Sequence, residues 1–259
     1  MITRKSFLTL LSAAALSVSA HGSTLLSTWA FDEEPGAEKV RDSTNTRHGI
    51  AADVDFDKSG AGIDGKGFGK AAVFNGQTSK IVFNPAVNWP RFDRGDFTVT
   101  GWFQLPKNEA REDRPLIVAG KNRNKSGWAL QVGRADRTRK GQLFFAVGGA
   151  VEKEVVLVLS KKRVDDGAWH WFAAVVRDQV GHLYVDGVLQ GSVPFNSKTS
   201  ANHDAGEVSF GASDSSAYNG WLDHIQLYDG ALSGVVDSEQ KLISGKLYEA
   251  WQSAPASVH

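Results

Sequence analysis

The stretch DGAWHWFAAVVRDQVGHLYVDGVLQGS, residues 166–192, decides the fold. Within WHWFAAVVRD, side chains alternate across an extended chain. One face carries Trp169, Trp171, Ala173 and Val175, and the other carries His170, Phe172, Ala174 and Val176. Both faces are apolar, which predicts a central strand covered on each side. VGHLYVDGVL then reads as a hairpin. Leu183 and Val185 point one way, and Asp186-Gly187 supplies the positive-φ pair that a tight turn needs.

Outward from this stretch, period-two alternation recurs between clusters of Gly, Asn and Asp. Expected strands are TLLSTWAF, AAVFNG, KIVF, DFTVTGWFQL, PLIVAG, GWALQVG, QLFFAVGG, EVVLVLS, WHWFAAVVRD, HLYVDG, GEVSFGAS and GWLDHIQLYDG. Many short strands with turn signals between them predict an all-β, two-sheet antiparallel jelly-roll sandwich. One helix is expected, SGVVDSEQKLI at residues 233–243, capped by Ser233, with Val235, Val236, Leu242 and Ile243 as a partial apolar stripe.

The start of the chain reads as an export signal. Arg4 and Lys5 precede an apolar run from Phe7 to Leu16, and Val18-Ser19-Ala20 has the small residues of a cleavage site, so residues 1–20 are expected to be removed. Residues 21–249 are then expected to form a single domain, with 250–259 as a tail. No later run is long and apolar enough for a membrane helix. The chain has no cysteine, which suits a bacterial exported domain with a core large enough to need no disulfide, secreted or held at the envelope. The chain balances 29 basic against 29 acidic residues, and loss of Arg4 and Lys5 tips it slightly negative. That balance gives no reason to expect a nucleic-acid partner.

Five elements carry a family resemblance: STWAFDEEPGAEKVRDSTNTRHG, GKAAVFNGQTSKIVF, GDFTVTGWFQL, the opening stretch, and NGWLDHIQLYDGALS. In this order, over residues 24–233, they resemble laminin-G-like, concanavalin A-like lectin/glucanase jelly rolls of exported bacterial proteins. The resemblance departs at Trp171, which stands where relatives commonly have a second histidine. It implies the fold far more narrowly than the activity, because this fold hosts lectins, adhesion modules and enzymes.

Asp32, Asp42, Asn45 and Asp223 are hard oxygen ligands of the kind calcium takes, with Asp229 a weaker candidate. In a jelly roll the first and last strands tend to lie side by side, which would bring FDEE and WLDH together. The resemblance also implies a structural calcium built from the early acidic loop and the last-strand aspartate. Against this stands a plain structural role for Asp42 and Asn45 in Asx turns and for Asp223 at a strand end.

A sugar site is expected where aromatic faces stack on pyranose C–H faces beside a few polar groups. In FTVTGWFQL, Trp102 shares a face with Thr98, Thr100 and Gln104, while Phe97, Val99, Phe103 and Leu105 face the core. Candidate contacts are therefore Trp102 and Gln104, with His170 and Trp171 on the adjoining strand, and Trp221 in YNGWLD. Trp89, Trp128 and Trp251 also fall near turns or ends, where exposure is expected. A basic run, Lys121, Arg123, Lys125, Arg134, Arg137, Arg139 and Lys140, would favour an anionic glycan if it gathers on one rim.

Catalytic signatures are sparse. The Glu-x-Asp-x-x-Glu string of laminarinase-type glycanases is absent, and so are Gly-x-Ser-x-Gly, phosphate loops and His-Glu-x-x-His. DVDFD places Asp53, Asp55 and Asp57 on one side of an extended segment, and DHIQLY places His224, Gln226 and Tyr228 on one face, the sets a hydrolase or polysaccharide lyase would use. Asn124-Lys125-Ser126 fits a glycosylation acceptor that a bacterial source would leave unused. The sequence thus reads as a carbohydrate-binding module without catalysis, binding a polysaccharide or glycoconjugate and stabilised by calcium. The alternatives are an envelope adhesion or assembly protein and a polysaccharide-degrading enzyme.

Overall fold

The computed structural model describes residues 22–56, 69–84, 89, 95–108, 112–119, 127–133, 139, 141–147, 156–194, 208–213 and 215–253. The expected signal segment, Asp57, the 124–126 acceptor and every residue of the basic run except Arg139 lie outside these. The described strands, in chain order, are β1 (Thr24–Trp29), β2 (Lys39–Val40), β3 (Gly49–Ala52), β4 (Ala72–Asn75), β5 (Lys80–Phe83) and β6 (Phe97–Gln104). There follow β7 (Arg114–Ala119), β8 (Trp128–Val132), β9 (Gln142–Val147), β10 (Val156–Arg163), β11 (Trp169–Arg177) and β12 (Val180–Val185). The last are β13 (Val188–Pro194), β14 (Val208–Phe210), β15 (Asn219–Asp229), β16 (Val235–Val236) and β17 (Leu242–Ser244), ahead of one helix, α1 (Lys246–Gln252).

They form two antiparallel sheets and a small hairpin. The first sheet runs β1-β15-β6-β11-β12-β13, with β4 also pairing β15, and the second runs β10-β9-β8-β7-β14-β5-β3-β2. β11 is the covered central strand that its composition dictates. Phe172, Ala174 and Val176 join the core between the sheets, while Trp171, Ala173 and Val175 join a second cluster on the outer face of the first sheet. β6 divides as its alternation predicts, with Phe97, Val99 and Phe103 inside and Trp102 outside. The hairpin forms too: β12 pairs β13 antiparallel, and Asp186 and Gly187 both adopt positive φ. The described residues contain no helix long and apolar enough to cross a membrane.

The expected helix at 233–243 does not form. Its β-branched Val235 and Val236 instead pair with β17. Asp237 Oδ1 accepts the backbone N–H groups of Glu239 and Lys241, and Gln240 takes φ 67°, so the chain reverses. The helix starts later, after Gly245, and turns Leu247 and Trp251, one helical turn apart, onto one face. Residues 231–252 thereby become a strap across the outer face of the first sheet.

Candidate functional site

The ladder fixes which outer-face side chains are neighbours, because directly opposed residues on antiparallel strands point to the same side. One row holds Trp221, Gln104 and Trp169, and the next holds Asp223, Trp102 and Trp171. The strap covers Trp102 and Trp171 of the second row with Leu232, Leu242, Leu247 and Trp251. It is pinned there by Leu242 N–H donating to Gly187 O (2.7 Å), Leu189 N–H to Gln240 O (2.8 Å) and Arg177 to Leu232 O (2.9 Å). Trp251 lies so close over Gly187 that a Cβ on that residue would stand 2.5 Å from the indole. Trp102 and Trp171 are left 2% and 1% exposed. Both were expected as sugar contacts, and both are instead the apolar floor on which the strap packs.

The first row reaches the surface, with Trp221, Gln104 and Trp169 each half-buried and Trp169 also packed against the edge of the strap cluster. Gln104 donates through Nε2 to Gly167 O (2.6 Å), which fixes the amide. Among the described residues, its Oε1 and the Trp169 Nε1 have no protein partner. Trp221 turns Nε1 inward, where it is buried, so its exposed part is ring carbon. Trp169 was absent from the expected contacts, because its tie to Gln104 rests on cross-strand register. Trp89, Trp128 and Trp251, expected near the surface, are buried, and Trp89 stacks on Trp29 at 5.6 Å between centroids.

His170 is engaged rather than free for a sugar. Its Nδ1 lies 2.8 Å from Asp186 Oδ2 and its Nε2 3.1 Å from Asp166 Oδ1, while Asp186 Oδ1 accepts the Trp171 N–H (2.9 Å). The imidazole thus ties the start of β11 to the β12–β13 turn. Burial pulls its pKa down, but the bonds and charges of Asp186 and Asp166 outweigh this and raise it. A raised histidine pKa adds stability that is fully present below the unfolded value, about 6.5, and is lost as pH rises through the folded value. His170→Gln is therefore expected to lower the melting temperature more at pH 6 than at pH 9. Equal losses at both pH values in thermal melts would show that the clamp is uncharged.

The expected metal ligands fall into two groups. Asp42 is buried and serves its own loop: Oδ2 accepts the Thr44 hydroxyl (2.6 Å) and the Ser27 hydroxyl (3.2 Å), and Oδ1 accepts the Arg47 N–H (2.9 Å). Burial would raise its pKa, but these bonds hold it below the usual range. Asn45, at φ 57°, donates its N–H to Asp42 O in the same turn. Asp42 therefore takes the Asx-turn role, and Asn45 serves the same turn through its main chain at positive φ.

Asp223 and Asp32 do come together. β15 changes edge partner along its length, from β4 at Asn219–Leu222 to β1 at Ile225–Asp229, and Asp223 sits in the seam between them. A bulge at this point, with His224 at φ 45°, turns the strand. Asp32, just beyond β1, accepts the Lys70 N–H (2.8 Å) and lies against Gly69, where a Cβ would be 2.1 Å from its Oδ1. Asp223 is 0% exposed, and neither oxygen meets a donor at full hydrogen-bond geometry, the His224 backbone N–H near it falling short of that. Burial pushes its pKa up to about 9, the His224 backbone N–H offsets this in part, and the Asp32 charge adds to the rise. The described residues hold no cluster of three or more His, Asp or Glu side chains able to bind a metal.

Next to Asp32, Glu33 is buried as well, with Oε1 accepting the Arg41 N–H (2.8 Å), and burial raises its pKa. Asp53 and Asp55 are exposed, and Asp55 bridges Val73. Gln226 Oε1 accepts the Tyr228 hydroxyl (3.1 Å), which occupies that pair with each other. Asp223, though perturbed like a catalytic acid, has no surface with which to touch a glycosidic oxygen.

Fold and surface together define a two-sheet antiparallel jelly roll with an aromatic row on one outer face. The chain belongs to the Laminin_G_3 family of the concanavalin A-like lectin/glucanases superfamily, whose model matches residues 75–234. The strap from Val235 onward lies beyond that match. A search of curated proteins found no match. Among solved structures, the chain is similar to domain 4 of AbnA, a GH43 extracellular arabinanase from Geobacillus stearothermophilus, in complex with arabinotriose. That likeness has 19% identity and a TM-score of 0.58, covering 82% of this chain and 95% of that one. The binding domain of Paraclostridial Mosquitocidal Protein 1 matches at 18% identity and a TM-score of 0.58, over 81% of this chain and 49% of that one. The botulinum neurotoxin serotype C1 binding domain matches at 12% identity and a TM-score of 0.60, over 90% and 52%. The chain thus spans about half the length of the two toxin domains. At these identities the likeness shows the fold.

Proposed function

We propose that the protein is an exported carbohydrate-binding module without catalytic activity, held in shape by calcium at the Asp32–Asp223 seam. The observation that carries the binding half is the surface row Trp221, Gln104 and Trp169, with indoles flanking a fixed amide. Stacking surface beside a few oriented polar groups is what sugar recognition needs. The bound arabinotriose of the arabinanase domain supports the same reading. The observation that carries the calcium half is a buried carboxylate, neither oxygen of which meets a donor at full hydrogen-bond geometry, beside a second carboxylate. Asp223 and Asp32 would hold the ion, with main-chain carbonyls and water completing the six to eight oxygens it takes.

The test of binding is a screen of the purified chain, in calcium, against neutral and anionic polysaccharides, with reducing-end and unsaturated-product assays on the same samples. Binding without product release is expected, and Trp221→Ala is expected to weaken it at least tenfold while the protein still melts cooperatively. Product release would overturn the non-catalytic reading.

A further inference from the structure

The surface row also sets the length and charge of what it can bind. Adjacent strands lie about 4.8 Å apart, so β15 and β11, on either side of β6, hold the backbones of Trp221 and Trp169 about 9.6 Å apart. On the far side of Trp221 the row continues to Val73 of β4, which is half-buried and uncharged. The row is therefore a shallow track that crosses four strands. A single sugar reaches one indole, not both.

Its polar groups complete the track. Gln104 lies between the indoles with Nε2 held by Gly167 O, leaving Oε1 to accept a hydroxyl, and Trp169 Nε1 stands ready to donate. Trp221 offers ring carbon only. Beyond Val73 the row reaches Asp55, which bridges Val73 and is exposed, so the charge at that end of the track is a carboxylate that repels an anionic chain. The members between, Val73, Trp221, Gln104 and Trp169, are uncharged.

Building on the carbohydrate reading above, we propose that this row is a track for an internal run of at least three sugars of a neutral polysaccharide, lying across the strands. A terminal monosaccharide and a uronic-acid or sulfated chain are poor fits.

Isothermal titration of the full chain with arabinan-, xylan-, mannan- and β-glucan-derived oligosaccharides of one to six residues tests the track. The dissociation constant for the preferred series is expected to fall at least tenfold from one residue to three and to level off beyond. Trp169→Ala is expected to cost at least tenfold for the trisaccharide, and Trp169→Phe to restore most of that, which separates stacking from folding. Equal affinity for mono- and trisaccharide, or binding that survives Trp169→Ala, would overturn the track and leave carbohydrate binding standing. A preference for heparin or polygalacturonate over every neutral series would overturn it as well. Absence of binding to every saccharide would overturn both readings.

Discussion

Trp251→Ala is expected to lower the unfolding free energy by about 3–5 kcal/mol, the range for emptying a buried tryptophan site. Trp251 lies over Gly187 and, with Leu247, closes the apolar cluster on Trp102 and Trp171. Its loss removes the strap's largest contact and wets two indoles that have no surface role in the intact fold. Urea denaturation followed by tryptophan fluorescence measures this, with the midpoint falling and acrylamide quenching of the native state rising. A loss below about 1 kcal/mol, the size of an ordinary surface change, would mean that the strap is not part of the cooperative fold. Leu247→Ala should act in the same direction with a smaller effect, since less surface is lost.

Asp223→Asn is expected to abolish calcium stabilisation. A ligand that binds only the native state adds about 2.7 kcal/mol at a hundredfold excess over its dissociation constant. The wild-type melting temperature should therefore rise with calcium and fall with chelator, and the variant should respond to neither. In chelator the pH dependence has an unusual sign. A carboxyl whose folded pKa is about 9 binds more protons folded than unfolded from its ordinary 3.8 upward. Stability is then full at the acid end of that interval and falls as pH rises towards about 9. Calcium competes with the proton, so its affinity should rise over the same interval. A wild-type melt indifferent to calcium at pH 8 would contradict the ion site. In chelator at pH 7, Asp223→Asn should match or exceed the wild type, because it removes a buried acid beside Asp32.

The architecture was legible wherever one strand carried its own evidence. The doubly apolar β11, the Asp186-Gly187 turn and the split faces of β6 all follow from alternation, and all stand in the structure. The adjacency of the first and last strands was enough to bring Asp32 towards Asp223. What stayed hidden depended on distant partners. Trp102 and Trp171 looked like groove residues because their cover, Leu242 to Trp251, arrives far along the chain from a segment whose partial stripe read as a different helix. His170 looked available because its partner Asp186 is reached only once the hairpin folds back. Trp169 is the opposite case, since only the register opposite Gln104 brings it into line with Trp221. Asp42 misled by composition, because a local turn satisfies the same oxygens that a cation would, while Asn45 serves that turn through its main chain.

The central claim is that sugar meets the row Trp221, Gln104 and Trp169 and leaves the strap-covered row untouched. Indole N–H signals in a two-dimensional NMR spectrum test it directly, with the eight tryptophans assigned by single substitutions. On titration with a neutral trisaccharide from the preferred series, the Trp169 indole signal should shift most and the Trp221 signal next, while Trp102 and Trp171 stay in place. Shifts concentrated at Trp102 and Trp171 would place the ligand beneath the strap and contradict the account.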